Sequence, residues 1–166
     1  MSTIQIRKAQ AKESEQIARV HVQSWQETYT GIVNQAYLDE WSVEQRERMW
    51  RYYLAHDQAH VFVAVEQATI VGFCMTELRN QPHENSPFLG SLYLLKNYHG
   101  RGLGKQLFLT ALEQLKADQQ TKMYLDVVKE NPTLHFYEKF GGKVIAEKTI
   151  DLNGQKLQEL VLEYSL

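Results

Sequence analysis

The residues best suited to chemistry in this chain sit together near its middle, in the run YLLKNYHGRGLGK at positions 93–105. Gly100, Gly102 and Gly104 alternate with Arg101 and Leu103, and His99 and Lys105 flank them. Glycine allows a ligand to approach the backbone closely. An apolar run leads into the segment and a helix-like pattern leads out, and a helix N-terminus carries roughly half a positive charge. Exposed amides and a helix N-terminus together form an anion site suited to phosphate. Local charge agrees. No acidic residue lies between Glu84 and Glu113, whereas Lys96, Arg101 and Lys105 fall inside that stretch.

Spacing separates the phosphate-binding patterns. A Walker loop places four residues between its glycines and then Lys-Ser/Thr. Here three residues separate Gly100 from Gly104, and Gln106 follows Lys105. The dinucleotide fingerprint reads G-x-G-x-x-G, opens the first strand–helix unit and has an acid about 20 residues on. Asp126 stands near that distance, but the third glycine comes one residue early, and helices and strands are expected ahead of the run.

The run His99-Gly100-Arg101-Gly102-Leu103-Gly104 resembles the acetyl-coenzyme A loop of the GNAT superfamily of acyltransferases, Gln/Arg-x-x-Gly-x-Gly/Ala, with His99 at the first position. The resemblance extends from Ile6-Arg7-Lys8-Ala9 to the last strand. His21-Val22-Gln23-Ser24-Trp25 with Tyr29-Thr30-Gly31-Ile32 is similar to the first helix and loop of many small members. Asn131 with Phe136-Tyr137-Glu138-Lys139-Phe140-Gly141-Gly142 is similar to the family's late motif, although Asn131 and Tyr137 are six apart where many members have seven.

The resemblance implies an acetyl-coenzyme A-dependent N-acetyltransferase acting on a primary amine, with a polyamine-like small molecule as acceptor. It implies that His99, Gly100, Arg101, Gly102, Leu103, Gly104, Lys105 and Asn131 bind the cofactor. The backbone of Leu92, Tyr93 and Leu94 would polarise the carbonyl, and Tyr137 would protonate the departing thiolate. A primary amine with a pKa of about 10.4 is mostly charged at neutral pH, so a base must take its proton. Many relatives carry a glutamate near the position of Phe88, where this chain reads Phe88-Leu89-Gly90-Ser91. Glu77 is the preferred base, with Glu27, His83 and Glu84 as alternatives. Trp25 and Tyr29, with the loop at 79–87, are expected to line the acceptor pocket, though Trp25 equally suits core packing. Two other readings stand beside this one: a non-catalytic acyl-coenzyme A sensor, and an acetyltransferase acting on protein termini or lysines.

The elements that must position these groups follow from periodicity. Ile4-Gln5-Ile6 alternates as a strand. Helical spacing runs from Ser14 through Ile17, Val20 and Ser24 to a break at Gly31. A second helix starts at Ser42, with Gln45 at capping-box spacing. Strands are expected at 61–65 and 69–78 around a turn at Glu66-Gln67, then at 88–95 after the polar loop. Leu103, Leu107, Phe108, Ala111 and Leu115 form a helical stripe, and 123–128 is an apolar strand. Asn131-Pro132 caps a helix at 133–140. The pairing of 143–152 with 155–164 across Asn153-Gly154 is a strong hairpin signal. The order is β-α-α-β-β-β-α-β-α-β-β, a mixed α/β (α+β) sheet with helices on both faces. The resemblance implies that this sheet is mostly antiparallel and splayed.

The 166 residues form one expected domain, 1–166, with a net charge of −2 and a pI near 6.3. That balance gives no basic surface for nucleic acid. Residues 1–10 carry charges where a signal peptide needs an apolar core. The longest apolar runs are far short of the ~20 residues that span a membrane. The lone Cys74 excludes an internal disulfide and fits a reducing cytoplasm. The run His56-Asp57-Gln58-Ala59-His60 lacks the glutamate of the H-E-x-x-H zinc motif and leads into a strand, so no metal is expected. A homodimer is left open.

Overall fold

The computed structural model describes residues 3–56 and 59–166. Met1, Ser2, Asp57 and Gln58, which belong to the amino-terminal and His56–His60 stretches considered above, lie outside the described residues. The strands are β1 (Ile4–Lys8), β2 (His60–Glu66), β3 (Thr69–Arg79), β4 (Ser86–Leu94), β5 (Lys122–Val128), β6 (Lys143–Leu152) and β7 (Gln155–Ser165). The helices are α1 (Ser14–Tyr29), α2 (Gln35–Asp39), α3 (Val43–Ala55), α4 (Leu103–Ala117) and α5 (Leu134–Lys139). The strands form one seven-stranded sheet in the order β1-β2-β3-β4-β5-β7-β6. Every neighbouring pair is antiparallel except β4 with β5.

Helices cover both faces, which explains the unbroken apolar runs of β2 and β3. Val61, Val63 and Phe73 pack with Ile17 of α1 and Trp50 of α3. Phe62, Ala64 and Cys74 pack with Leu107, Phe108 and Ala111 of α4 on the other face. Cys74 is fully buried, its Sγ lies 3.4 Å from the Leu107 carbonyl, and burial pushes its thiol up to about 12, so it packs as a small hydrophobe. The Ser42 hydroxyl accepts from Gln45 N at 3.2 Å, as the capping spacing predicts.

Three local features differ from the sequence expectation. α2 is additional. It is too short to show a stripe and is held by the Asn34 cap and the buried side chain of Leu38. The β2–β3 turn centres on Gln67 and Ala68, one residue later than expected, with φ of 48° and 65°. Neither is a residue that advertises positive φ. β4 begins at Ser86, inside the expected loop. The Asn153-Gly154 hairpin closes as expected, with Leu152 opposite Gln155. No helix among the described residues is long and apolar enough to cross a membrane.

Candidate active site

The site originates in β4. Along β3 its register jumps, so that Met75 faces Ser91 but Thr76 faces Leu89, and Gly90 is left as a bulge. On its other side β4 pairs with β5 only at Phe88 opposite Tyr124. A bulge bends the strand and increases its twist, so the two parallel strands part beyond that point. The split opens a cavity of about 600 Å³, walled by Leu92, Tyr93 and Leu94 on one side and Leu125 and Val127 on the other. On this side the backbone of residues 92–94 has no strand partner and is available to a ligand.

The glycine run borders the same cavity. Gly102 caps α4 in the left-handed conformation (φ 76°, ψ 8°), and Gly100 has φ 78°. A Cβ at Gly100, Gly102 or Gly104 would meet nothing within 4 Å, so the space before the loop is open. The first bond of the helix runs from Gln106 N to Gly102 O at 3.1 Å, and no side chain caps it. The amides of Leu103, Gly104 and Lys105 are therefore the orphan donors of this helix end. Lys96, His99 and Lys105 also line the cavity. His99 Nε2 lies 2.8 Å from the Leu94 carbonyl, tying the loop to the end of β4. Arg101 does not line it; its guanidinium lies over the Tyr98 ring, 5.0 Å from the centroid. Open amides, a helix N-terminus and flanking cations fit a pyrophosphate.

Asn131 and Tyr137 complete the wall. α5 starts at Leu134, later than expected, yet Asn131 does cap the turn before it. Its Oδ1 accepts from Thr133 N at 2.9 Å and its carbonyl from Leu134 N at 3.0 Å. Pro132 disfavours helical backbone at the residue before it, which keeps α5 from extending back past Asn131. Asn131 Nδ2 donates to the Tyr29 hydroxyl at 3.0 Å, joining the loop after β5 to the end of α1. The Tyr137 ring packs against Phe136 and Phe108, with centroids at 5.5 and 6.1 Å, while the residue borders the cavity. Burial first, then the neighbours Tyr29, Tyr164 and Cys74, push its pKa well up, so it stays an O–H.

A second cavity of about 410 Å³ meets the first across the bulge, sharing Tyr29, Gly90, Ser91, Tyr93 and Asp126 with it. Trp25 lines it and is also packed, stacked on Trp41 at 4.1 Å and against Tyr29 at 4.3 Å. Glu77 lines it too. A Cβ on Gly90 would fall 2.7 Å from Glu77 Oε2, so the carboxylate of β3 occupies the space a β4 side chain would take. Tyr53 OH donates to Glu77 Oε1 at 3.4 Å, and Arg79 bridges Glu77 (3.3 Å) and Asp126 (3.5 Å). Asp126 Oδ1 is buried without a partner among the described residues. Glu159 borders the cavity with its pKa raised by burial and by Asp126, opposed by Lys148 at 3.4 Å.

The alternative bases are placed differently. Glu27 borders the first cavity and accepts from Lys96 N at 3.2 Å. Of the 79–87 loop only Arg79 reaches the second cavity, and His83 and Glu84 border neither, because β3 carries the chain past the site before it turns. The sequence patterns do not flag Asp126, Glu159, Trp41 or Gly90 as site residues. Two signals were available: an acid interrupting the apolar run of β5, and a glycine inside a strand, which marks a bulge or a close approach. His56 bonds the Tyr52 carbonyl and His60 pairs with Asp118, so these histidines are turned to separate partners. Among the described residues no group of three His, Cys, Asp or Glu could hold a metal ion.

Comparison with known proteins agrees with this geometry. The family model described as acetyltransferase (GNAT) family matches residues 21–142, most of the chain. The chain is 28% identical over 161 residues to the uncharacterized N-acetyltransferase YuaI of Bacillus subtilis, covering 96% of this chain and 91% of that one. It is 28% identical over 149 residues to a spermidine N(1)-acetyltransferase of Thermoplasma acidophilum, covering 86% and 89%. Among solved structures, the PaiA N-acetyltransferase of Thermoplasma acidophilum in complex with coenzyme A superposes with a TM-score of 0.81 at 26% identity, over 99% of each chain.

Proposed function

The chain belongs to the acetyltransferase (GNAT) family, and from that premise we propose that it transfers the acetyl group of acetyl-coenzyme A to the primary amine of a small cationic molecule, by direct attack in a ternary complex. The observation that carries the reading is the meeting of two cavities across the Gly90 bulge, one beside an open helix N-terminus and the other lined by Glu77, Asp126 and Glu159. The carboxylates favour a cationic acceptor, and aromatic walls add cation–π attraction. The relative named as a spermidine acetyltransferase supports a polyamine-like amine.

Acetyl-coenzyme A supplies an activated acyl carbon and a thiolate leaving group. In this proposal the amides of Gly102, Leu103, Gly104 and Lys105 hold its pyrophosphate, with His99, Gly100 and Arg101 shaping the loop. The unpaired backbone of Leu92, Tyr93 and Leu94 donates to the carbonyl oxygen as an oxyanion site does. Asn131, both ends of whose amide are engaged, fixes the wall beside the pantetheine arm. Glu77 takes a proton from the ammonium group, which must be neutral to attack. Tyr137, held as an O–H, protonates the sulfur. Trp25 and Tyr29 form the acceptor wall. Participation of strands from Ile4 to Ser165 in one sheet supports a single acetyltransferase domain over 1–166. The buried single cysteine is consistent with a cytoplasmic setting.

The test is thiol release from acetyl-coenzyme A across a panel of polyamines, amino acids, amino amides and amine-bearing peptides. Turnover with small amines supports the proposal. Coenzyme A binding without turnover on any acceptor establishes the sensor instead, and turnover confined to peptides establishes a protein acetyltransferase.

A further inference from the structure

His21 borders the acceptor cavity but has no part in the reaction above. It is 6% exposed, and its Nδ1 accepts from Trp50 Nε1 at 3.1 Å. An indole N–H can only donate. Nδ1 is therefore unprotonated, and the neutral ring carries its hydrogen on Nε2. The rings of Trp41, Phe73 and Tyr93 enclose it at 5.1, 5.3 and 5.5 Å, fixing its orientation. Burial and the nearby Arg46 push its pKa down to about 3, so the ring is a neutral donor under ordinary conditions. Trp50 is its hydrogen-bond partner among the described residues, which leaves Nε2–H for whatever fills the cavity. A buried N–H without an acceptor costs roughly 1–3 kcal/mol. Trp41 stands in the adjoining wall with its Nε1 buried away from the cavity surface.

The cavity thus has two unlike ends. Glu77 and Glu159 offer carboxylate acceptors, and at the other end His21 Nε2–H offers a donor. A molecule that offers nothing but ammonium groups satisfies the first end and sets donor against donor at the second. We propose that His21 Nε2–H is a specificity-determining donor and that the preferred acceptor is an amine that also carries a carbonyl oxygen, an amino amide rather than a polyamine of the same length. This rests on the N-acetyltransferase reading and replaces its polyamine-like acceptor with an amino amide.

Lysinamide and 1,5-diaminopentane form a matched pair, differing by one carboxamide. The wild-type protein is expected to show a kcat/KM for lysinamide about three- to tenfold above that for the diamine, the size of one neutral hydrogen bond. The α-amine of lysinamide is intrinsically less basic than those of the diamine, so the reading is the change in the ratio, which should fall about three- to tenfold in His21→Phe. Because that variant also leaves Trp50 without its acceptor, the wild-type protein is examined in parallel by ¹⁵N–¹H NMR with coenzyme A present. Its His21 Nε2–H resonance should move on adding lysinamide and stay fixed on adding the diamine. A diamine equal to or better than lysinamide overturns the proposal. So does a ratio that survives in a folded His21→Phe, or a resonance that answers neither ligand because Nε2–H serves a resident water only. If coenzyme A binds but no amine of the full acceptor panel is acetylated, the N-acetyltransferase reading fails, and the NMR titration still decides the role of His21.

Discussion

An aspartate at position 102 should drive coenzyme A off the loop by charge alone. Gly102 has φ 76°, and a Cβ there meets nothing within 4 Å, so a side chain enters open space. Asn and Asp both tolerate the left-handed conformation, so Gly102→Asn serves as the matched control for backbone strain. The two variants then differ by one negative charge facing the orphan amides of α4. For a phosphate charge about 6 Å away, Coulomb repulsion is about 0.7 kcal/mol at the dielectric of water and about 3 kcal/mol at an effective dielectric near 20. That range corresponds to roughly threefold to 100-fold in affinity. Titration calorimetry of coenzyme A against both variants measures the ratio directly. Melting shifts give the same answer: a ligand at about 100 Kd stabilises by about 2.7 kcal/mol, and after a 100-fold loss the same concentration gives about 0.4 kcal/mol. Raising the ionic strength shortens the Debye length from about 10 Å at 0.1 M to about 3 Å at 1 M and should narrow the gap. Equal affinities for the Asp and Asn variants at low salt would refute the assignment of the loop.

Tyr137→Phe should lower kcat about 10- to 100-fold and leave coenzyme A affinity within about twofold, and unchanged turnover at every pH removes it as the acid. Glu77→Gln should cost about 100-fold in kcat/KM at pH 7 and less near the amine pKa of about 10.4, where the acceptor needs no base; wild-type rates at pH 7 would rule Glu77 out. Gly90→Ala should act in the same direction, since its Cβ would fall 2.7 Å from Glu77 Oε2 and 2.9 Å from Met75 Cε; full activity would mean that the carboxylate needs no such space. Below pH 6.5 the unfolded chain protonates His21, whereas the folded ring resists until about pH 3, so its contribution to stability is complete above 6.5 and declines as pH falls. At about 1.4 kcal/mol per pH unit, unfolding free energies from urea titrations at pH 7.5 and 5 should differ by about 2 kcal/mol more in the wild type than in His21→Phe, and equal differences would refute this.

Much of the glycine-loop cavity was legible in the sequence because its signals are local. Alternating glycines, a following helical stripe and an acid-free stretch all lie within a few turns of chain. The Ser42 cap and the Asn153-Gly154 hairpin are equally local, and each formed at the expected residues. The acceptor side was not legible in this way. Glu77, Asp126 and Glu159 come from β3, β5 and β7, and Trp25 and Trp41 from α1 and the segment before α3. Nothing in their spacing links them.

By itself, then, the sequence determined where alternating glycines meet a helix N-terminus, and the order of the elements other than the short α2, because periodicity, caps and glycine conformation are properties of neighbouring residues. Only the tertiary structure decided what those elements enclose. β4 forms a ladder pair with β5 only at Phe88 and Tyr124 and then parts from it, and that divergence creates the cavity. The bulge at Gly90 leaves space that a glutamate from another strand fills. The tautomer of His21 depends on an indole 29 positions away. Each outcome is set by contacts between residues distant in the chain, where strand register and side-chain packing, rather than local preference, fix the geometry.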